Sequence, residues 1–302
     1  MTIYLRNSRL FPLCLALTFQ AQIATAQQDR PIDRIKVQTA EMPTPKIVGG
    51  EPAEPGAFPF QVALIASHVA EGSEAFGQFC GGSLVAKDWV LTAAHCVPAT
   101  APEEVQIYAG SQTLPTGNGA APAGVRVGLE RIVSHQEYDA ATKDNDIALL
   151  KLERPIEIQT TQPATVDNFS TALADGAEVT VIGWGHTSEG GQSTPVLQEV
   201  SVALQPRDTC EENYGQFLNT LPGGAPIITD NMFCAGRPQG GVDSCQGDSG
   251  GFIGIKSDNN GDGWIQFGIV SWGIGCARPE LFGVYTNVAN YIDWLTEVQS
   301  NF

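Results

Sequence analysis

The chain has 302 residues, of which 42% are hydrophobic, and it carries a formal net charge of −17. That apolar fraction is enough for one large or two ordinary globular cores, so a disordered or fibrous chain is excluded. From residue 47 onward, 10 basic residues face 30 acidic ones, a net charge of −20. This balance disfavours nucleic acid and anionic membranes as partners and favours cationic substrates, although solubility alone also explains many of the charges.

Residues 1–26 have the pattern of a removable secretory signal. Arg6 and Arg9 form a short basic start, the apolar run LFPLCLALTF follows, and the small residues ATA end at Ala26. The run is shorter than the roughly 20 residues of a transmembrane helix. A buried N-terminal helix is the alternative. We expect a secreted protein, extracellular or periplasmic.

Residues 27–46, QQDRPIDRIKVQTAEMPTPK, are polar, punctuated by proline and without a sustained period. This composition is typical of a linker or propeptide.

Short apolar runs separated by glycine and proline clusters fill the rest of the chain, among them FPFQVALI, GSLVAKDWVLTA, EVTVIGWG and WIQFGIVSWG. Such spacing predicts short antiparallel strands in barrels or sandwiches. A polar stretch at about 157–175 divides them into two β units, roughly 47–160 and 165–302. Helix is expected to be scarce, and residues 213–230 are expected to form a loop.

The C-terminal stretch NVANYIDWLTEVQSNF is the exception. Its apolar residues share one face at helical spacing and predict a short amphipathic helix; they are Val288, Tyr291, Ile292, Leu295 and Val298.

Seven cysteines occur, and removal of the signal would remove Cys14. Six remain, an even number that predicts three disulfides in an oxidising compartment, with 15 pairings open. A metal site is the weaker alternative, because no Cys-x-x-Cys pair occurs and His95 beside Cys96 has no further ligands at zinc spacing. We expect no metal and no cofactor.

The stretch DSCQGDSGG at 243–251 concentrates glycine and polarity around Ser249. A serine hydroxyl becomes a nucleophile only when a base removes its proton, and the resulting oxyanion needs aimed donors. Glycines let the backbone approach a substrate closely. Alone, the stretch is also compatible with an ordinary turn.

A base is available at His95 in LTAAHC, and Asp146 in DNDIALLKL offers a carboxylate to orient it. Histidine suits general-base chemistry because its unperturbed pKa is near 6.5. His68, His135 and His186 lack comparable settings and receive no role.

At this point the chain resembles the chymotrypsin-like serine proteases, and among them the trypsins. The resemblance rests on KIVGG at 46–50, LTAAHC at 91–96, DNDIALLKL at 144–152, GWG at 183–185, DSCQGDSGG at 243–251, SWGIGC at 271–276 and GVYTNV at 283–288. It implies an all-β fold of two six-stranded antiparallel β-barrels with a short C-terminal helix, covering 47–302.

The resemblance implies a catalytic triad of His95, Asp146 and Ser249. It also implies an oxyanion hole built from the backbone N–H groups of Gly247 and Ser249. Cleavage after Lys46 would free the α-amino group of Ile47 to pair with Asp248. The residues before the cut, EMPTP, lack the acidic run of digestive trypsinogens, which favours self-activation.

Specificity for Lys or Arg is implied by Asp243, the match to the aspartate at the floor of the primary pocket. The other residues implied for substrate binding are Ser244, Gln246, Ser271, Gly273 and Gly283. The backbone of 271–273 is expected to pair with extended substrate.

Family pairing of the cysteines would be Cys80 with Cys96, Cys210 with Cys234 and Cys245 with Cys276. Many relatives carry a latency-promoting histidine two residues before the first of these; here it is Gln78.

The leading hypothesis is a secreted, monomeric endopeptidase acting on protein or peptide substrates and open to protein inhibitors. A non-catalytic binding protein on the same scaffold, or an esterase, are the rival hypotheses.

Overall fold

A computed structural model of the chain describes residues 30–35, 48–119, 123–165, 174–218, 228–257 and 263–302. The signal segment 1–26, both Lys46 and Ile47, and most of the expected propeptide 27–46 lie outside these ranges. Within them, no helix combines the length and apolarity needed to cross a bilayer.

The first barrel closes in the order β2-β3-β4-β7-β6-β5, with every neighbouring pair antiparallel. Its strands are β2 Gln61–Ala66, β3 Gln78–Ala86, β4 Trp89–Thr92, β5 Val105–Ala109, β6 Val125–Ser134 and β7 Ala148–Leu152. Leu64, Leu91 and Leu150 are fully buried in its core. Closure leaves this sheet without an exposed edge.

The second barrel is a ring of six antiparallel strands in the order β9-β10-β11-β14-β13-β12, closed by pairing of β12 with β9. They are β9 Glu178–Gly183, β10 Gln198–Gln205, β11 Met232–Gly236, β12 Phe252–Lys256, β13 Trp264–Trp272 and β14 Gly283–Asn287. Two short strands join it: β1 Glu51–Pro52 on β10, and β8 Gln162–Pro163 parallel to β13. The expectation of two six-stranded barrels is confirmed.

The expected C-terminal helix is confirmed as α2, Ile292–Asn301, preceded by a 3-10 turn at Val288–Tyr291. Leu295 and Val298 are buried against the core of the first barrel. The amphipathic spacing therefore identified the packed face.

A second helix, α1 Arg207–Leu218, corrects the expectation of scarce helix and of a loop beginning at 213. Its sequence RDTCEENYGQFL has no continuous apolar stripe, so periodicity gave no signal. Cys210 and Tyr214 are buried, four apart on one face, and the disulfide to Cys234 ties the helix to β11. Tertiary packing, more than local propensity, stabilises this helix.

Three disulfides join Cys80 to Cys96, Cys210 to Cys234 and Cys245 to Cys276, the pairs that the family resemblance implied. In the chain-entropy account, each loop of this size contributes about 3 kcal/mol.

Candidate active site

Two paired strands of the first barrel bring His95 and Asp146 together. Thr92 at the end of β4 is opposite Ala148 at the start of β7. His95 follows β4 by three residues in the 3-10 turn Ala94–Cys96, and Asp146 precedes β7 by two. Antiparallel pairing therefore places both side chains at the same end of the barrel.

The carboxylate of Asp146 holds His95 at two atoms. Its Oδ2 lies 2.7 Å from His95 Nδ1, and its Oδ1 accepts the backbone N–H of His95 at 2.8 Å. Ser271 Oγ donates to Oδ2 at 2.5 Å. Because an ionised carboxylate only accepts, Nδ1 carries the proton and the neutral ring keeps Nε2 free as a base.

Asp146 is fully buried and nevertheless ionised. Burial opposes ionisation, but attraction to the protonated form of His95 and the hydrogen bonds from His95 and Ser271 outweigh it and hold the pKa of Asp146 below its usual value. The carboxylate can therefore stabilise an imidazolium that forms on His95.

Ser249 and His95 line the same cleft. The cleft has a volume of about 670 Å³, and His95, Gln246, Gly247 and Ser249 all line it. Gly250 lets the Ser249 loop approach the first barrel, because it has φ +79° and a Cβ there would lie 2.2 Å from Thr92 Oγ1. Only glycine fits this contact.

The loop before Ser249 is held from both barrels. Gly247 has φ +96°, and its carbonyl accepts a hydrogen bond from Gln78 Nε2 at 2.7 Å. The carbonyl of Ser249 accepts from Gly81 N at 2.7 Å. These two contacts fix the Gly247–Asp248 and Ser249–Gly250 peptides. The peptides that carry the Gly247 and Ser249 N–H groups are held by other bonds: the Gln246 carbonyl accepts from His186 N at 2.6 Å, and the Asp248 carbonyl accepts from Gly251 N at 2.9 Å.

Asp248 is buried beneath this loop. It accepts the backbone N–H groups of Gly185 at 2.7 Å and Cys245 at 2.9 Å. No basic side chain of the described residues pairs with it, and burial raises its pKa to about 7. The carboxylate therefore has backbone donors but lacks a neutralising cation, which makes ionisation costly.

Asp243 is 5% exposed, and its Oδ2 accepts the Ala277 amide at 3.0 Å. Its Oδ1 has no hydrogen-bond partner within the described residues, and burial raises its pKa to about 7. A Cβ on Gly283 would lie 2.9 Å from this oxygen. Residue 283 can lie this close to the carboxylate because it has no side chain.

The remaining sites predicted for substrate binding are close to Asp243 or to the cleft. A Cβ on Gly273 would be 3.9 Å from Gly283 Cα, so the two glycines face each other. Ser244 Oγ lies 3.3 Å from Tyr285 Oη, and Gln246 is exposed at the cleft. Ser271 has a role the sequence did not suggest, since its hydroxyl caps Asp146.

Sequence reasoning missed two other residues. His186, which received no role, lines the cleft, and burial lowers its pKa. Its position directly after the GWG motif was the available signal. Tyr214 on α1 donates a 2.5 Å hydrogen bond to the Phe282 carbonyl, beside Gly283; its helix was not predicted, so no signal pointed to it.

One cluster of metal-ligand types occurs among the described residues, formed by Cys80, His95 and Cys96. Both sulfurs are joined in a disulfide, so neither offers the thiolate that a metal would need.

Comparison of the sequence with known proteins finds related chains. The family model described as Trypsin matches residues 47–295. A protein named Trypsin from Saccharopolyspora erythraea is 38% identical over 251 residues, which is 83% of this chain and 97% of that protein. Trypsin Blo t 3 of Blomia tropicalis is 40% identical over 253 residues, covering 82% of this chain and 84% of that protein.

Proposed function

This chain belongs to the trypsin family of serine proteases and is a trypsin-like serine endopeptidase; from that membership we propose that it is secreted, made as a zymogen, and cuts after Lys or Arg by a Ser-His-Asp acyl-enzyme mechanism. One observation carries the mechanism: His95, oriented by the buried Asp146, lines the same cleft as Ser249.

In the first step, His95 Nε2 takes the proton of the Ser249 hydroxyl as Oγ attacks the carbonyl carbon of the scissile bond. The oxyanion is stabilised by the N–H groups of Gly247 and Ser249. The imidazolium, stabilised by Asp146, then gives its proton to the leaving amine, and the acyl-enzyme forms. Water repeats the cycle through the same base, which regenerates the serine hydroxyl and releases the acid.

The substrate preference is supported by Asp243. A buried carboxylate whose Oδ1 has no hydrogen-bond partner, beside a glycine at 283, favours a cationic side chain, because the cation would supply the missing partner. The excess of acidic residues would add long-range attraction for basic substrates.

Activation is proposed to follow a cut between Lys46 and Ile47. The new α-amino group would supply the cation that the buried Asp248 lacks. The Asp243 N–H donates to the Val48 carbonyl at 3.3 Å, so the chain just beyond Ile47 already runs beside the pocket. Since Lys46 fits the proposed specificity, the enzyme is a candidate for activating itself.

The secretory segment 1–26 and the three disulfides support an extracellular or periplasmic location. We propose a monomer that needs no cofactor or metal, acts on protein or peptide substrates, is open to protein inhibitors, and has no nucleic-acid or membrane partner.

The deciding experiment sequences the N terminus of the matured protein, labels it with a fluorophosphonate, and profiles it on a peptide library. We expect Ile47 as the first residue, the label on Ser249, and cuts after Lys or Arg. An unlabelled serine would favour the binding-protein hypothesis, and turnover of Lys esters without Lys amides would favour the esterase. A Ser249→Ala form that still matures when expressed alone would exclude self-activation.

A further inference from the structure

The segment Arg30–Ile35 precedes the proposed cut yet is anchored on the first barrel. It forms one 3-10 turn, Pro31–Arg34. The guanidinium of Arg30 meets Glu104 with both Nη atoms, at 2.9 and 3.1 Å, and donates to the Ala99 carbonyl at 3.2 Å. Glu104 is 74 residues away along the chain. A two-point contact with a carboxylate is directional as well as attractive.

An apolar anchor lies two residues beyond Arg30. Ile32 is 5% exposed and belongs to the core cluster of the first barrel, against which Ile35 also packs. Asp33 accepts hydrogen bonds from Arg30 Nε at 2.9 Å and Nη2 at 2.8 Å, which fixes the guanidinium for Glu104. The turn therefore combines a buried side chain with a charge-assisted contact.

The turn also reaches the cleft. Pro31, Arg34 and Ile35 line the same cavity as His95 and Ser249, together with Phe79 and Cys80. The strand end Ser271–Gly273, where the acyl side of the substrate is expected to pair, does not line that cavity. The segment therefore lies on the side of the cleft that receives the leaving half of a substrate.

We propose that the surface around Glu104 and Ala99 is a docking surface for this chain's own segment Arg30–Ile35, and that the docked segment competes with substrate residues beyond the scissile bond. The anchors lie in residues 30–35, before Lys46, so the cut that frees Ile47 leaves them intact. The released propeptide then acts as a reversible inhibitor of the mature enzyme. This inference rests on the proposed function for its kinetic part, but the docking itself needs no catalysis.

The test uses a capped, fluorescently labelled peptide of residues 30–35 carrying Arg34→Gln, which removes a possible cleavage site. Fluorescence anisotropy measures its binding to the matured protein freed of its own propeptide. We expect saturable binding that weakens with added salt, because the Arg30–Glu104 pair is partly exposed. Arg30→Ala in the peptide or Glu104→Gln in the protein should weaken binding about fivefold or more. Glu103→Gln is the matched control, because Glu103 is the exposed neighbour of Glu104 and its substitution removes the same charge. The Glu103→Gln protein should bind the peptide like the parent.

In the kinetic arm, the peptide should slow cleavage of a substrate with residues on both sides of the scissile bond more than hydrolysis of a small lysine amide. Equal binding by the Glu104→Gln and Glu103→Gln proteins, or no saturable binding, would overturn the docking proposal. Binding without any difference between the two substrates would overturn its inhibitory part. If fluorophosphonate fails to label the protein while the anisotropy result stands, the proposed function fails and the docking surface survives.

Discussion

Gln78 Nε2 donates a hydrogen bond to the carbonyl oxygen of Gly247 at 2.7 Å, joining β3 of the first barrel to the loop that carries Ser249. Gln78 stands where many relatives carry a latency-promoting histidine, and here its side chain holds the peptide directly after the Gly247 N–H that is proposed for the oxyanion hole. Replacing it removes a restraint on the Gly247–Asp248 peptide and so on the ψ angle of Gly247, which would leave the Gly247 N–H less precisely aimed at the cleft.

We therefore predict that Gln78→Ala lowers kcat about tenfold, less than the 10²–10³ typical of deleting an oxyanion donor itself. KM and Tm should change little, because the contact positions one peptide. Gln106→Ala on β5 serves as the control. Steady-state kinetics on a lysine amide decides it: a rise in KM at constant kcat would mean that Gln78 acts on substrate binding.

The Asp146→Asn variant should lose about 10⁴-fold in kcat, the size of loss typical of this change in Ser-His-Asp proteases. An amide can donate to Nδ1 and so stabilise the tautomer whose Nε2 carries the proton, which removes the base. The rate of fluorophosphonate labelling at Ser249 should fall in parallel, with thermal unfolding as the check on folding. Labelling at the parent rate would contradict the assigned role.

Binding of benzamidine should tighten as pH rises from 6 to 8. The pKa of Asp243 is raised to about 7 by burial, so below that value the carboxyl is protonated and has no charge to offer a cation. The affinity should change by up to about tenfold per pH unit below the pKa. The Asp243→Ser variant should bind benzamidine weakly and with little pH dependence. This variant keeps His95, so an affinity that still rose with pH would assign the titration to a group other than Asp243.

The uncleaved precursor should lose stability as pH rises from about 4 to 7. The folded-state pKa of Asp248 is raised to about 7 from an ordinary 3.8, so between these values the folded chain binds a proton that the unfolded chain has lost. The free energy of unfolding therefore falls as pH rises through this window. The full effect is at most about 4 kcal/mol. Urea unfolding of a Lys46→Gln, Ser249→Ala chain, with and without Asp248→Asn, measures it. Parallel pH curves for the two would refute the assignment.

After cleavage a fall with rising pH should appear at the alkaline end instead. Pairing with Asp248 raises the pKa of the Ile47 amine above its reference of roughly 7.7–8.0, so the contribution is present at neutral pH and is lost as pH rises through the raised value. We predict a reversible alkaline fall in activity together with weaker inhibitor binding. Constant activity and inhibitor affinity well above pH 8 would argue against the pair.

Much of the site could be predicted because its residues sit in short motifs of fixed order. His95 and Asp146 each stand at the edge of an apolar run, and pairing of β4 with β7 brings them to the same end of the barrel. Long-range contacts gave no such signal. Arg30 lies in a polar, proline-containing segment that is typical of a linker, and its partner Glu104 is 74 residues away. Helix α1 was missed because tertiary contacts and a disulfide, with little periodicity, hold RDTCEENYGQFL in place.

Asp146 belongs to the first barrel by sequence, yet its side chain is capped by Ser271 Oγ and its carbonyl accepts from Thr286 Oγ1, both on strands of the second. The rate of hydrolysis therefore depends on how accurately the two barrels are aligned. A small rotation of one barrel against the other would abolish activity while every strand stayed intact. Mild denaturant should accordingly abolish hydrolysis before circular dichroism registers any change.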